Sequence, residues 1–303
     1  MVRFPKQFLR TNWPTFVIWL AVTGLLACEK NISVPPQPYV STVSIQSLLS
    51  PGERPVLYFD RTVPYFDAKQ SNVHLFIRDA QVTITAGDVV DRLIPDSSYN
   101  GFRCSYEYFY RGKLPVKSNA DYRLNIQWQG QNYTATASTD LPVTPIDSVS
   151  YVSSFKDLYG DHEGIVINFK DQNRPATYYR YTMARSIDST VHDATGLKSP
   201  CLTDQKVRVL EIGRTVYPSR GNAELTIVAE PTYLHKKGDV GYIRLQTMDR
   251  HTYDFYDQLD RQKLAQFNPF VEPVFLKPTQ FSNAIGVFGA IAVSDSVRFM
   301  YPE

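Results

Sequence analysis

The chain lacks the short motifs on which common enzyme chemistry rests. No GxSxG elbow, P-loop or dinucleotide GxGxxG occurs in its 303 residues, so the usual hydrolase, NTPase and oxidoreductase routes have no signature here. Cysteine is scarce, with 3 residues and none at CxxC spacing, which removes zinc and redox chemistry by that route. The histidines are few and scattered without HxH or HExxH spacing; His74, His192, His235 and His251 read as surface or packing residues. A strong charge of either sign is also missing, since the formal net charge is only +2, and nothing suggests a nucleic-acid partner. The expectation is a protein with no catalytic residue, no metal and no cofactor, and not an enzyme.

What the chain does have begins at its N-terminus. Arg3, Lys6 and Arg10 precede an apolar run, WPTFVIWLAVTGLLA, that ends at Cys28 and turns charged at once with Glu29 and Lys30. The uncharged stretch from Thr11 to Ala27 holds Pro14 and sits at the short edge of the roughly 17 to 25 residues a spanning helix needs, so a cleaved signal fits better than a permanent span. Leu25-Leu26-Ala27-Cys28 resembles the bacterial lipobox, in which the cysteine is acylated and becomes the mature N-terminus. Residues 1–27 are thus expected to be a lipoprotein signal peptide and Cys28 a lipidation site that ties the protein to a membrane. Acyl chains contribute about 0.8 kcal/mol per buried methylene, enough in a multiply acylated cysteine to hold a soluble domain on a bilayer. Loss of the three early basic residues takes the net charge from +2 to about −1. Cys104 and Cys201 remain; they form no disulfide framework, and one bridge requires the fold to bring their Cα atoms within roughly 7 Å.

Pro35, Pro36 and Pro38 make 28–38 a semi-rigid, extended tether. From Tyr39 the grammar is short Val-, Ile-, Tyr- and Phe-rich segments separated by Gly, Pro, Asn and Asp, as in all-β sandwiches. Strands are expected at 40–49, 55–63, two within 73–87 with a kink at Arg78-Asp79, 105–112, and a hairpin over 121–139 turning at Gly130. The two prolines of LPVTPID mark 141–147 as a linker. The predicted architecture is mainly β: two tandem β-sandwich domains, 39–140 (Ig-like or transthyretin-like) and 148–303. The second carries one amphipathic helix at about 252–267, where Tyr253, Tyr256, Leu264 and Phe267 share a face. Gly286 and Gly289 in the closing SNAIGVFGA stretch are spaced to let neighbouring backbone approach closely.

Two clusters hold potential chemistry. Asp161-His162-Glu163 is the densest group of potential metal ligands, but neighbours on a strand point to opposite faces and the triplet reads first as a polar turn before Gly164. Tyr106, Tyr108 and Tyr110 fall on one strand face, where they either form a ligand-binding platform for sugar-like rings or fill the sandwich core. Paired carboxylates for glycoside hydrolysis converge in space and leave no spacing in sequence, which keeps an anchored hydrolase as an alternative.

Three segments taken in order, CEKNISVP, PGERPVLYFDRTVPYFD leading to RDAQVTI, and NPFVEPVFLKPTQFSNAIGVFGA after a YDFYDQL helix, resemble a family of Bacteroidota outer-membrane lipoproteins catalogued as a domain of unknown function (DUF4249-like). The similarity spans nearly the whole mature chain. It implies an accessory lipoprotein of a TonB-dependent outer-membrane nutrient-uptake system, held at the outer membrane through Cys28, with a TonB-dependent transporter as partner. It supplies no catalytic residue. The alternatives are an anchored hydrolase acting on peptide or glycan and a structural partner subunit.

Overall fold

A computed structural model describes residues 41–63, 72–100, 104–157, 160–172, 174, 177–188, 206–213, 217–219, 221, 223–231, 235–267 and 274–302. The signal, the lipobox cysteine and the tether lie outside these residues. Alternation with period two decides most elements. In β1 (Val43–Leu49) and β2 (Val56–Arg61), Val43, Ile45, Leu49, Leu57 and Phe59 point inward. In β3 (Gln81–Ala86), Val82 and Ile84 do the same, as expected.

The first of the two strands expected within 73–87 is absent. Asn72–Leu75 forms one helical turn, α1, and Phe76 makes a single bridge to Asp60. The chain turns here because it wraps the buried Tyr110 hydroxyl, which donates to the Ile77 carbonyl at 2.8 Å and accepts from the Ala80 amide at 3.0 Å. One strand that was not anticipated is present. β4 (Val89–Asn100) pairs with β5 (Ser105–Arg111) from Ile94 opposite Arg111 to Asn100 opposite Ser105. Cys104, just before β5, has a left-handed φ of 52° and is held in a disulfide whose other half lies outside the described residues. The hairpin of β6 (Asp121–Trp128) and β7 (Gln131–Ser138) turns at Gln129 and Gly130, both at positive φ.

The remaining strands are β8 (Ser148–Asp157), β9 (Gly160–Lys170), β10 (Tyr178–Asp188), β11 (Lys206–Ile212), β12 (Tyr217–Pro218), β13 (Glu224–Ala229), β14 (Val240–Met248), β15 (Ala284–Val293) and β16 (Val297–Met300), with helix α2 (Arg250–Phe267) between β14 and β15. Among the described residues they build a 13-stranded sheet, ordered β11-β10-β14-β15-β1-β2-β5-β4-β3-β6-β7 with β12 and β16 on β10 and β14, and a three-stranded sheet β13-β9-β8. The molecule is mainly β and sandwich-like, with one helix near its C-terminal end.

The large sheet folds over itself, so that Phe59 of β2 meets Trp128 and Tyr133 of the β6–β7 hairpin at ring separations of 5.8 and 5.7 Å. Gln280 closes this sandwich by donating to the carbonyls of Thr136 and Phe288 and accepting from the Phe288 amide. A second core forms where Ile165, Ile167, Phe169, Leu225 and Ile227 of the small sheet pack on Tyr179, Met183, Ile243, Leu245 and Phe299 of the large one. Each fully buried Leu, Ile or Phe contributes roughly 1.5–3 kcal/mol, so these two cores are the main stabilising element. The cores are not separated at one point in sequence. β15 pairs in parallel with β1 and gives Ala284, Phe288 and Ala290 to the first core.

α2 lies on the sheet face opposite both cores. Tyr253 stacks on Tyr178 of β10 at 4.0 Å, and the Gln46 amide of β1 donates to the Tyr256 hydroxyl at 2.7 Å. Intrahelical pairs Arg250–Asp254 and Arg261–Asp257 stabilise its exposed side modestly. Among the described residues no helix is long and apolar enough to cross a membrane.

Asp60 sits on this same outer face, partly buried opposite Ser44. Burial raises its carboxyl from the usual 3.8 to about 6. Below about pH 4 both folded and unfolded carboxyls are protonated and the site costs nothing. As pH rises from about 4 to about 6 the unfolded carboxyl ionises while the buried one keeps its proton, so stability falls by on the order of 3 kcal/mol and levels off once the folded group ionises. Asp60→Asn is therefore expected to be more stable than the parent near pH 7.5 and equal to it near pH 4, as read by urea unfolding; a gap of the same size at both pH values would contradict this cause.

Candidate functional site

A groove of about 1020 Å³ opens between the outer face of the β3-β6-β7 sheet and the start of α2. Its floor follows from the strand alternation: with Ile84, Leu124 and Ala135 turned into the core, Thr85, Arg123 and Thr136 must turn out, and register sets them side by side. Its opposite wall carries Arg174, Asp249, Arg250 and His251.

Asp249 fixes that wall. One carboxylate oxygen accepts from the Thr252 amide at 2.7 Å as an N-cap, and the other accepts from the Ala290 amide of β15 at 3.0 Å. The helix start is thereby tied to the sheet. Arg250 donates through Nε to both oxygens of Asp254 at 2.8 and 2.9 Å and through Nη1 to the Tyr178 hydroxyl at 3.0 Å; the Asp254 bond raises its already high pKa. Arg174 pairs with Asp140 at 3.0 Å. Guanidinium carries five N–H donors, so both arginines keep donors beyond these bonds. Arg123 is exposed. The groove can hold a polar ligand through hydrogen-bond donors converging from two sides. Sequence reasoning placed no residue here, although Asp249 three residues before Thr252 is an N-cap signal; Arg123 and Arg174 carried none, because the groove exists only when the sheet meets the helix.

The tyrosine trio is divided by depth. Tyr110 is 0 % exposed and holds the Ile77–Ala80 turn, whereas Tyr106 is 53 % exposed and Tyr108 is intermediate. Rings run in a chain from Tyr99 through Tyr106, Tyr108 and Phe76 to Tyr110, with separations of 5.3, 6.4, 6.0 and 5.4 Å. Tyr99, on β4 opposite Tyr106, is the member that sequence reading did not find. Cys28, the lipidation candidate, lies outside the described residues.

The Asp161-His162-Glu163 triplet lies within β9 rather than in a turn, and its members diverge. His162 Nδ1 is 3.4 Å from Glu230, while Glu163 faces the other way, accepting from the Tyr151 hydroxyl and lying 3.5 Å from His235 Nε2. His235 stacks on Tyr301 at 4.0 Å, and burial raises the Tyr301 phenol well above its ordinary value. His74 lies in α1 and is exposed, and His251 lines the groove; His192 lies outside the described residues. Among the described residues no three His, Cys, Asp or Glu side chains converge as a metal site would require.

No curated protein matches the chain. The profile of a family described as Domain of unknown function (DUF4249) matches residues 29–297. With nearly its whole length covered by that match, the chain belongs to the DUF4249 family.

Proposed function

We propose that this protein is a lipid-anchored component of the cell envelope that works by binding, as an accessory to a TonB-dependent outer-membrane uptake system. The observation that carries the anchoring is the apolar run ending at Cys28, with the family match starting one residue later at 29. A chain acylated at Cys28 would present all of the family-matched region to the aqueous side. Support for binding comes from the groove, whose donors on Arg123, Arg174 and Arg250 suit a polar ligand. Anchoring confines such a receptor to two dimensions beside its transporter, which raises the effective concentration without a tight interface.

Cys28→Ser is expected to move the protein from the membrane to the soluble fraction after a high-salt wash; unchanged fractionation removes the anchor from this reading. Purification of the acylated protein in mild detergent, followed by mass spectrometry, is expected to recover a TonB-dependent transporter. A protein recovered alone favours a second reading, an anchored hydrolase of peptide or glycan, for which the half-exposed Glu163 beside His235 is the specific observation.

A further inference from the structure

Among the described residues, the outer face of the large sheet over the second core is exposed at β11, β14 and β16, beyond the reach of α2. Inward residues of β10, β11, β14 and β16 fill the core, so register lays their outward residues in rows. Leu210, Ala184, Tyr242 and Arg298 form one row; Ile212, Thr182 and Arg244 form the next. Arg208 and Met300 extend the patch on the other side, opposite Ser186 and Val240.

Two properties set this face apart. Leu210 and Ile212 on β11 and Tyr242 and Met300 on β14 and β16 are each 46–60 % exposed, with Ala184 of β10 between Leu210 and Tyr242, an apolar area of a kind that marks interaction sites. Interleaved with them are three exposed arginines, Arg208, Arg244 and Arg298. Among the described outward side chains of these four strands there is no carboxylate. The one acidic residue in the middle of β11, Glu211, points into the core and pairs with Arg185. Asp239 and Asp295 lie in the turns before β14 and β16, and Asp239 accepts from the Lys236 amide there.

We infer that this face docks on the anionic surface of a lipid bilayer. Guanidinium forks match phosphodiester oxygens, and Tyr242 with the three aliphatic tips suits the boundary between headgroups and acyl chains. Charge complementarity selects the occupant: a zwitterionic surface balances each phosphate with its own headgroup cation, whereas an anionic surface offers net negative charge to three guanidinium groups. The inference rests on the anchored reading for its biological setting, because acylation at Cys28 keeps the face near a bilayer, yet the face is read separately. Three arginines acting near a charged surface should favour anionic over neutral bilayers roughly 100-fold, and salt near 1 M, where screening reaches about 3 Å, should abolish the preference.

The test is hydroxyl-radical footprinting of Met300 and Tyr242, read by mass spectrometry, on the full acylated chain added to vesicles of phosphatidylcholine with or without phosphatidylglycerol. Both residues are expected to be protected several-fold only when phosphatidylglycerol is present, and to lose protection in an R208Q/R244Q/R298Q variant, whose substitutions are all exposed and spare the cores. Equal labelling on both vesicles overturns the inference. Protection without vesicles that grows with protein concentration overturns it in favour of a second copy, and protection seen only on native membranes overturns it in favour of an acidic protein partner. Co-sedimentation with the phosphatidylcholine vesicles reports the anchor itself: a chain that fails to sediment there but is captured by phosphatidylglycerol contradicts the anchored reading and supports the docking face.

Discussion

Gly286→Ala is expected to destabilise the protein by more than about 4 kcal/mol, in the range reserved for single changes that break a packed element. Gly286 lies on β15 directly opposite Ile45 of β1 in the parallel pairing, at a φ of +131°. A Cβ built there would stand 1.8 Å from the Ile45 carbonyl oxygen and 2.7 Å from its carbon. These are backbone atoms, so no rotamer change relieves the clash; the two strands must part. Parting them removes the register from Val43–Ala284 to Leu49–Ala290 and takes Phe288 and Ala290 out of the first core. Gly238→Ala is the matched control, with a left-handed φ of +81° but nothing within 4 Å of its Cβ, and it should cost only about 1–2 kcal/mol. Guanidinium unfolding of both variants checks this, and a Gly286→Ala midpoint no lower than that of the control would refute the argument.

The second large effect is expected at Arg185 and Glu211, whose side chains are both 0 % exposed and paired across β10 and β11. Arg185 also lies over the Tyr301 ring at 5.6 Å. Two ions inside a core gain from each other roughly what they lose in hydration, so the pair is a weak stabiliser, but removing one partner leaves the other's charge buried without this ion pair. Arg185→Met and Glu211→Leu are each expected to cost about 3–5 kcal/mol, whereas the double variant should return to within about 1–2 kcal/mol of the parent. The resulting non-additivity, more than about 2 kcal/mol, is the quantity to measure by a double-mutant cycle. Additive losses would mean that the two side chains are stabilised independently of each other.

Alternation made this pair partly legible. Tyr179, Tyr181 and Met183 share parity with Arg185 along β10, so a strand that buries the first three must bury the arginine. What alternation could not supply was the partner: Glu211 lies 26 residues on, in a different strand. The tyrosine trio shows the same limit. Period two places Tyr106, Tyr108 and Tyr110 on one face, but their depths differ because Phe76 packs on Tyr108 and Tyr110 and the Ile77–Ala80 turn holds the Tyr110 hydroxyl, while neither reaches Tyr106. The missed helical turn at Asn72–Leu75 arose there too, since the β propensity of VHLFI was overridden by the need to wrap a buried hydroxyl.

By itself the sequence determined the strand grammar, the helix after β14, the hairpin at Gly130 and the need for close backbone approach at Gly286. All of these are local, set by side-chain period, turn chemistry and the absence of a Cβ. Gly289 differs: what a Cβ there would meet is a side chain, the Thr252 hydroxyl of α2 at 1.9 Å, and not a neighbouring backbone. Tertiary structure alone decided that β15 returns to β1 across some 240 residues, that the groove lies where α2 meets β6 and β7, and that three arginines share one open face. Each of those depends on which strand pairs with which. A period of two says which way a side chain points along its own strand, and carries no information about the neighbour that strand will find.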